Sequence, residues 1–147
     1  MNYTLENVTE NIDAWLDKDP VRPGLNVEFR TKAGREVFGL RGEDGEYKAF
    51  VCIAYTTDVP KNIVSMGVLT SVDGNIAVPY TVWSYQKGAG REIINQALLL
   101  MEENNISRVV TLSPLTEMAR NFHLRNDAIE LQVNETTANF EYLFKSI

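Results

Sequence analysis

The chain carries a single cysteine and a single histidine among 147 residues. One thiol, Cys52, cannot close an intrachain disulfide and fits a reducing compartment. Within the apolar run Phe50–Tyr55 it reads as a small buried hydrophobe. One imidazole, His123, cannot supply a metal centre, and no Cys, His and carboxylate cluster has ligand spacing, so no metal is expected. Basic residues are in the minority, 14 against 20 acidic ones, giving a net charge of −6. That balance argues against nonspecific nucleic-acid binding and against an anionic membrane surface, while leaving room for a local cationic site. No apolar run is long enough to span a bilayer. The first residues include Glu6, Glu10 and Asp13 and no apolar leader-like run, so no signal peptide is expected. The expected compartment is therefore the cytosol, and the sequons starting at Asn2, Asn7, Asn105 and Asn134 are expected to stay unglycosylated. There is no Gly-x-Ser-x-Gly elbow and no carboxylate placed to orient His123, which leaves a Ser-His-Asp hydrolase without support.

What is present is an ordinary globular composition, 44% hydrophobic and 23% charged. The length suits one domain, 1–147. Leu5, Val8, Ile12, Trp15 and Leu16 fall on one face of a helix over 5–17, which Asp19-Pro20 ends. Val27–Arg30 and Glu36–Leu40 read as short strands. Val37–Leu40 and Tyr47–Tyr55 should pair as an antiparallel hairpin around a turn at 42–45. After Pro60 a short helix is expected, then a turn at 72–75. Ile76–Ser84, rich in β-branched and aromatic residues, is a strand. Ile93, Ile94, Ala97, Leu98 and Met101 recur at helical spacing, so a helix runs from about Gly88 to Asn104. A buried strand over 107–112, a helix over 116–124 with Thr116 as N-cap, and strands over 128–133 and 138–144 complete an α/β order around one mixed, mostly antiparallel sheet flanked by helices.

The stretch Tyr85-Gln86-Lys87-Gly88-Ala89-Gly90-Arg91 lies between the strand 76–84 and the long helix. Glycines there let the backbone approach an anion, and the first turn of a helix offers free N–H groups and a favourable dipole. Lys87 and Arg91 add positive charge at the same place. Glycine turns before helices are common, so the pattern alone is a weak signal for phosphate. Other residues carry a plain and a sharp reading. His123 is the side chain best suited to proton transfer near neutrality, although a lone histidine is more often simply packed. Ser113 follows the strand 107–112, where functional groups collect in α/β sheets, although a serine before proline commonly caps a turn. Thr111, two residues earlier, points to the same face. Tyr80 and Trp83 read as packing aromatics. Phe140, Tyr142 and Phe144 have a strand's period with no basic residues interleaved, unlike an RNA-binding sheet.

The strand–glycine turn–helix unit, followed by a strand and a helix bearing Asn121-Phe122-His123, resembles the GNAT acyltransferase fold. Members of that fold bind the pyrophosphate of coenzyme A on a Gln/Arg-x-x-Gly-x-Gly/Ala turn. Gly88 and Gly90 match its small positions, while Tyr85 replaces the usual Gln or Arg, leaving Gln86 or Lys87 to substitute. Val51–Met66, Leu112-Ser113-Pro114, Asn121–Ala128 and Ala138–Tyr142 further resemble segments of the catalytic domain of malonyl-CoA decarboxylases, a likeness covering residues 48–144. Those decarboxylases have a preceding helical domain and a long insertion between the Ser-Pro and the Asn-Phe-His that this sequence does not contain. They have Pro-Gly-Phe where Thr116-Glu117-Met118 stands and Gly where Asp127 stands.

The resemblance implies a coenzyme A thioester, acetyl-CoA or malonyl-CoA, held by Trp83, Tyr85, Gln86, Lys87, Gly88, Ala89, Gly90 and Arg91, with Asn121 reaching the pantetheine from the other side. It maps the family's reactive serine and histidine onto Ser113 and His123. Decarboxylation of malonyl-CoA or a related acyl-CoA is the leading expectation, with Ser113 orienting the carboxylate and His123 giving the proton. The alternatives are acyl transfer to an amine acceptor with His123 as general acid, and a non-catalytic coenzyme A-binding module. Expected partners are the acyl-CoA itself and a second copy of the chain, with no nucleic acid or membrane.

Overall fold

The computed structural model describes residues 2–14 and 19–145. One 8-stranded sheet organises them. Strand β1 (Thr4–Asn7) lies antiparallel to β2 (Arg35–Arg41), with Leu5 opposite Leu40. A turn closed by the Gly45 N–H donating to the Gly42 carbonyl joins β2 to β3 (Tyr47–Thr56), giving the expected hairpin. Next comes β4 (Ile76–Ser84), antiparallel to β3. The register slips at mid-strand: Cys52 faces Thr81 while Ile53 faces Pro79, so Tyr80 bulges out of the ladder.

Beyond β4 the sheet parts. β5 (Arg108–Val110) runs parallel to β4 but pairs only with Ile76 and Ala77. One further bond, Leu112 N–H to the Pro79 carbonyl at 3.1 Å, closes the contact. From Tyr80 to Ser84, β4 continues without a β5 partner, leaving a slot between the two strands. On the far side, β8 (Thr137–Tyr142) pairs antiparallel with β5, with the two-residue β6 (Ser113–Pro114) and with β7 (Ile129–Val133).

Helices cover both faces. The apolar stripe of α3 (Ala89–Glu103) packs Ile93, Ile94, Leu98 and Met101 against Val51, Ile53, Val109 and Phe140. Phe122 of α4 (Glu117–Arg125) joins that face. Met66 of α2 (Ile63–Leu69) and Val27 and Phe29 of α1 (Val27–Thr31) cover the other, against Val37, Phe50, Cys52, Val78 and Trp83.

Two expectations fail near the N-terminus. The segment expected as a helix over 5–17 is β1 followed by a 3-10 turn over Thr9–Ala14, while Trp15 and Leu16 lie outside the described residues. Its backbone donors go to β2: the Val8 N–H bonds the Val37 carbonyl at 2.8 Å, and the Thr9 hydroxyl accepts from Val37 N–H at 3.0 Å. Val27–Arg30, expected as a strand, is helical, because Asn26 caps it by accepting from the Phe29 N–H at 2.8 Å.

Candidate acyl-CoA site

β4 delivers the chain to the glycine turn, and α3 leaves from it. Gly88 is the N-cap of α3, with φ +88°, a conformation that L side chains rarely adopt. No side chain caps the first turn; the Ala89 N–H donates to the Gln86 carbonyl at 3.0 Å, which leaves the Gly90 and Arg91 N–H groups to meet a ligand. Gly90 is required for a different reason. A Cβ there would stand 2.9 Å from Phe122 Cε1, so the glycine lets α3 and α4 meet at their ends. Between them opens a cleft of about 550 Å³, lined by residues 84–88, Gly90 and Arg91 from one side and by Phe122, Arg125 and Asn126 from the other.

The cleft is cationic within an acidic protein. Lys87, Arg91 and Arg125 border it, and the ion pairs among the described residues engage other cations. Arg91 donates through Nη2 to the Arg125 carbonyl at 2.7 Å, which ties the start of α3 to the end of α4. Asn126 is 7% exposed, and its Nδ2 donates to the Phe122 carbonyl at 2.8 Å. Its Oδ1 is buried and has no partner, an acceptor that a ligand N–H or O–H would satisfy.

The remaining candidates sit as follows. Tyr85 is half exposed at the mouth, and Gln86 donates to the Tyr3 hydroxyl at 2.8 Å. Ala89 contributes backbone here, its side chain being buried in the α3-facing core. Trp83 is buried on the opposite face of the sheet, its ring tilted against Phe50 with centroids 5.2 Å apart, and its Nε1 donates to the Tyr85 hydroxyl at 2.9 Å. Asn121 is exposed on α4 outside the lining of the cleft.

Ser113 and His123 lie deeper. The Ser113 hydroxyl shares a 2.8 Å bond with that of Thr111, which in turn accepts from the Phe140 N–H at 3.1 Å. His123 stacks on Phe140, with ring centroids 5.2 Å apart, and its Nδ1 bonds the Tyr142 hydroxyl at 2.7 Å. Burial lowers the imidazole from 6.5 to about 4, so it is neutral at physiological pH. The same burial pushes the Tyr142 phenol up. Ser113 is the cross-strand partner of Ala138, which shares its side of β8 with Phe140. Serine and imidazole therefore face the same side of the sheet, without a direct bond between them.

Phe122, Arg125 and Asn126 form one helical face at i, i+3 and i+4, and that spacing was the available signal for their shared position. Among the described residues no group of three or more His, Cys, Asp and Glu side chains gathers as a ligand set. None of the helices described is long and apolar enough to cross a membrane.

No family model and no curated protein matches the sequence. Among solved structures, malonyl-CoA decarboxylase from Agrobacterium vitis superposes with TM-score 0.63 at 22% identity, covering 80% of this chain and 35% of that one. The chain thus spans about a third of that decarboxylase. A Bacillus subtilis acetyltransferase in complex with CoA superposes with TM-score 0.63 at 8% identity, covering 95% of each chain. PaiA N-acetyltransferase from Thermoplasma acidophilum, in complex with coenzyme A, gives TM-score 0.63 at 9% identity and covers 96% and 98%. The chain has the GNAT acyltransferase fold, in a version structurally similar to both the malonyl-CoA decarboxylase and the acetyltransferases.

Proposed function

We propose that this protein binds a coenzyme A thioester, with the diphosphate on the first turn of α3, and decarboxylates a malonyl-type acyl group. The observation that carries the binding half is the uncapped α3 terminus at Gly88 with Lys87, Arg91 and Arg125 around it. Backbone N–H groups and cations at a helix start match a diphosphate in charge and geometry. From there the pantetheine follows the unpaired edge of β4 into the slot beside β5.

For the chemistry, the bond between the α-carbon and the carboxylate breaks, its electron pair passes into the thioester enolate, and carbon dioxide leaves. The enolate then takes a proton at the α-carbon. Ser113, next to the slot through Leu112, orients the carboxylate. His123 gives the proton from a neutral ring. A thioester enolate is basic enough to take an imidazole N–H proton; the Tyr142 hydroxyl at Nδ1 returns one to the ring, and solvent entering as product leaves restores the Tyr142 proton. Placement of both groups on one face of the sheet supports this assignment. Carbon dioxide release from malonyl-CoA is the test. It should be measurable with the intact chain and lost in His123→Phe, while absence of release at high enzyme concentration rejects the reaction.

Acyl transfer to an amine is the second reading, favoured by the acetyltransferases matching nearly the whole of both chains. It requires free thiol to appear from acetyl-CoA only when an amine is added.

A further inference from the structure

Where β4 and β5 part, a guanidinium bridges them. Arg22 donates through Nε to the Tyr80 carbonyl at 2.8 Å and through Nη2 to the Leu112 carbonyl at 2.9 Å. The first acceptor is the bulged residue of β4, and the second adjoins Ser113. Nη1 makes no hydrogen bond among the described residues. Tyr80 lies five residues before the turn at Tyr85, about 16 Å at 3.3 Å per residue. That is comparable to an extended pantetheine arm, so a thioester anchored at Gly88 would bring its acyl group to this guanidinium.

The charge around it is unbalanced. Arg30 and Arg35 are 0% and 3% exposed on the same side, and Asp19 is the one buried carboxylate among the described residues. Asp19 is already committed. Its Oδ2 pairs with Arg30 at 2.7 Å, and Oδ1 accepts from the N–H groups of Val21 and Arg22 and from the Thr81 hydroxyl. Arg35 lies over the Phe29 ring at 4.1 Å with its Nε unpartnered. Burial also pulls the Arg22 guanidinium down from its ordinary value, against the opposing pull of the Asp19 carboxylate. A carboxylate arriving here would gain a charge-assisted bond and relieve the excess.

We infer that Arg22 reads the far end of the acyl chain and selects coenzyme A thioesters whose acyl group ends in a carboxylate. The inference rests on the coenzyme A reading above and extends it to a specificity-determining residue. Isothermal titration of the whole chain with coenzyme A, acetyl-CoA, malonyl-CoA and succinyl-CoA separates the two. Wild type should bind at least one carboxylate-bearing thioester ten-fold or more tightly than acetyl-CoA. In Arg22→Met that ratio should fall to within about two-fold, with affinity for coenzyme A itself unchanged. Binding of coenzyme A without preference in the wild type overturns this inference alone, as does a preference that survives in Arg22→Met. Failure of every thioester to bind overturns both. Should Arg22→Met not fold, Arg22→Gln, which can still donate to the Tyr80 and Leu112 carbonyls, replaces it with the same expected ratio, and a preference that survives there overturns the inference.

Discussion

His123 is where a single side chain most affects behaviour. Folded, it holds its proton only below about pH 4, whereas an unfolded-chain imidazole titrates near 6.5. Between those values the unfolded state binds more protons, so stability rises with pH across the window. The contribution is fully present above 6.5 and is lost as pH falls towards 4. It amounts to something on the order of 3 kcal/mol for a shift of this size. Urea unfolding of the wild type from pH 4.5 to 7.5 should show that slope, and His123→Phe should flatten it. A wild-type stability independent of pH in this range would contradict the buried placement. The two glycines of the turn answer to different constraints and should fail differently. Gly88 has open space around its α-carbon but a positive φ, so Gly88→Ala should cost about 1 kcal/mol of stability, read by denaturant unfolding. Gly90→Ala must displace the Phe122 ring at the cleft, and coenzyme A affinity should drop about ten-fold or more. Equal effects of the two substitutions on ligand affinity would argue against this division.

At the scale of elements, the local patterns that sequence carries well are those satisfied within one segment. Ile76–Ser84 was legible from its run of β-branched and aromatic residues, buried almost throughout, and the stripe from Ile93 to Met101 because burial there follows the helical period. Thr116 was legible as a cap because its partner, the Ala119 N–H, lies three residues on. The N-terminal elements were not. Leu5, Val8 and Ile12 have helical spacing, yet the backbone around Val8 is claimed by Val37, nearly thirty residues away. Val27–Arg30 has strand-forming residues, and these masked the local cap at Asn26, while Arg30 is buried by bonds to Asp19 and to the Leu25 and Arg22 carbonyls that spacing alone does not reveal. The same holds for Arg125 and Asn126, whose place at the cleft depends on how closely Gly90 lets two helices approach. One side chain ties distant elements together. Asn139 is fully buried, donates to the Pro60 and Thr111 carbonyls, and accepts from Gln132 and Asn134. Asn139→Leu strands those carbonyls, and a loss of about 2–3 kcal/mol in denaturant unfolding is expected. A change under half a kcal/mol would show that water replaces them.

Across the whole molecule, charge is sorted. A chain of net charge −6 keeps Lys87, Arg91 and Arg125 together at one cleft and holds Arg22, Arg30 and Arg35 behind the slot. Such an arrangement draws an anionic ligand in against the average field of the protein, so coenzyme A affinity should weaken as salt rises from 50 to 500 mM. An affinity indifferent to salt would mean that the cations do not meet the phosphates. The most direct measurement is a coenzyme A titration followed by backbone amide chemical shifts. Saturable shifts should be largest for the amides of Gly88, Gly90 and Arg91, at the start of α3. If millimolar coenzyme A leaves those amides unmoved, or the largest shifts fall on another surface, the diphosphate does not bind at that turn and the proposed function falls with it.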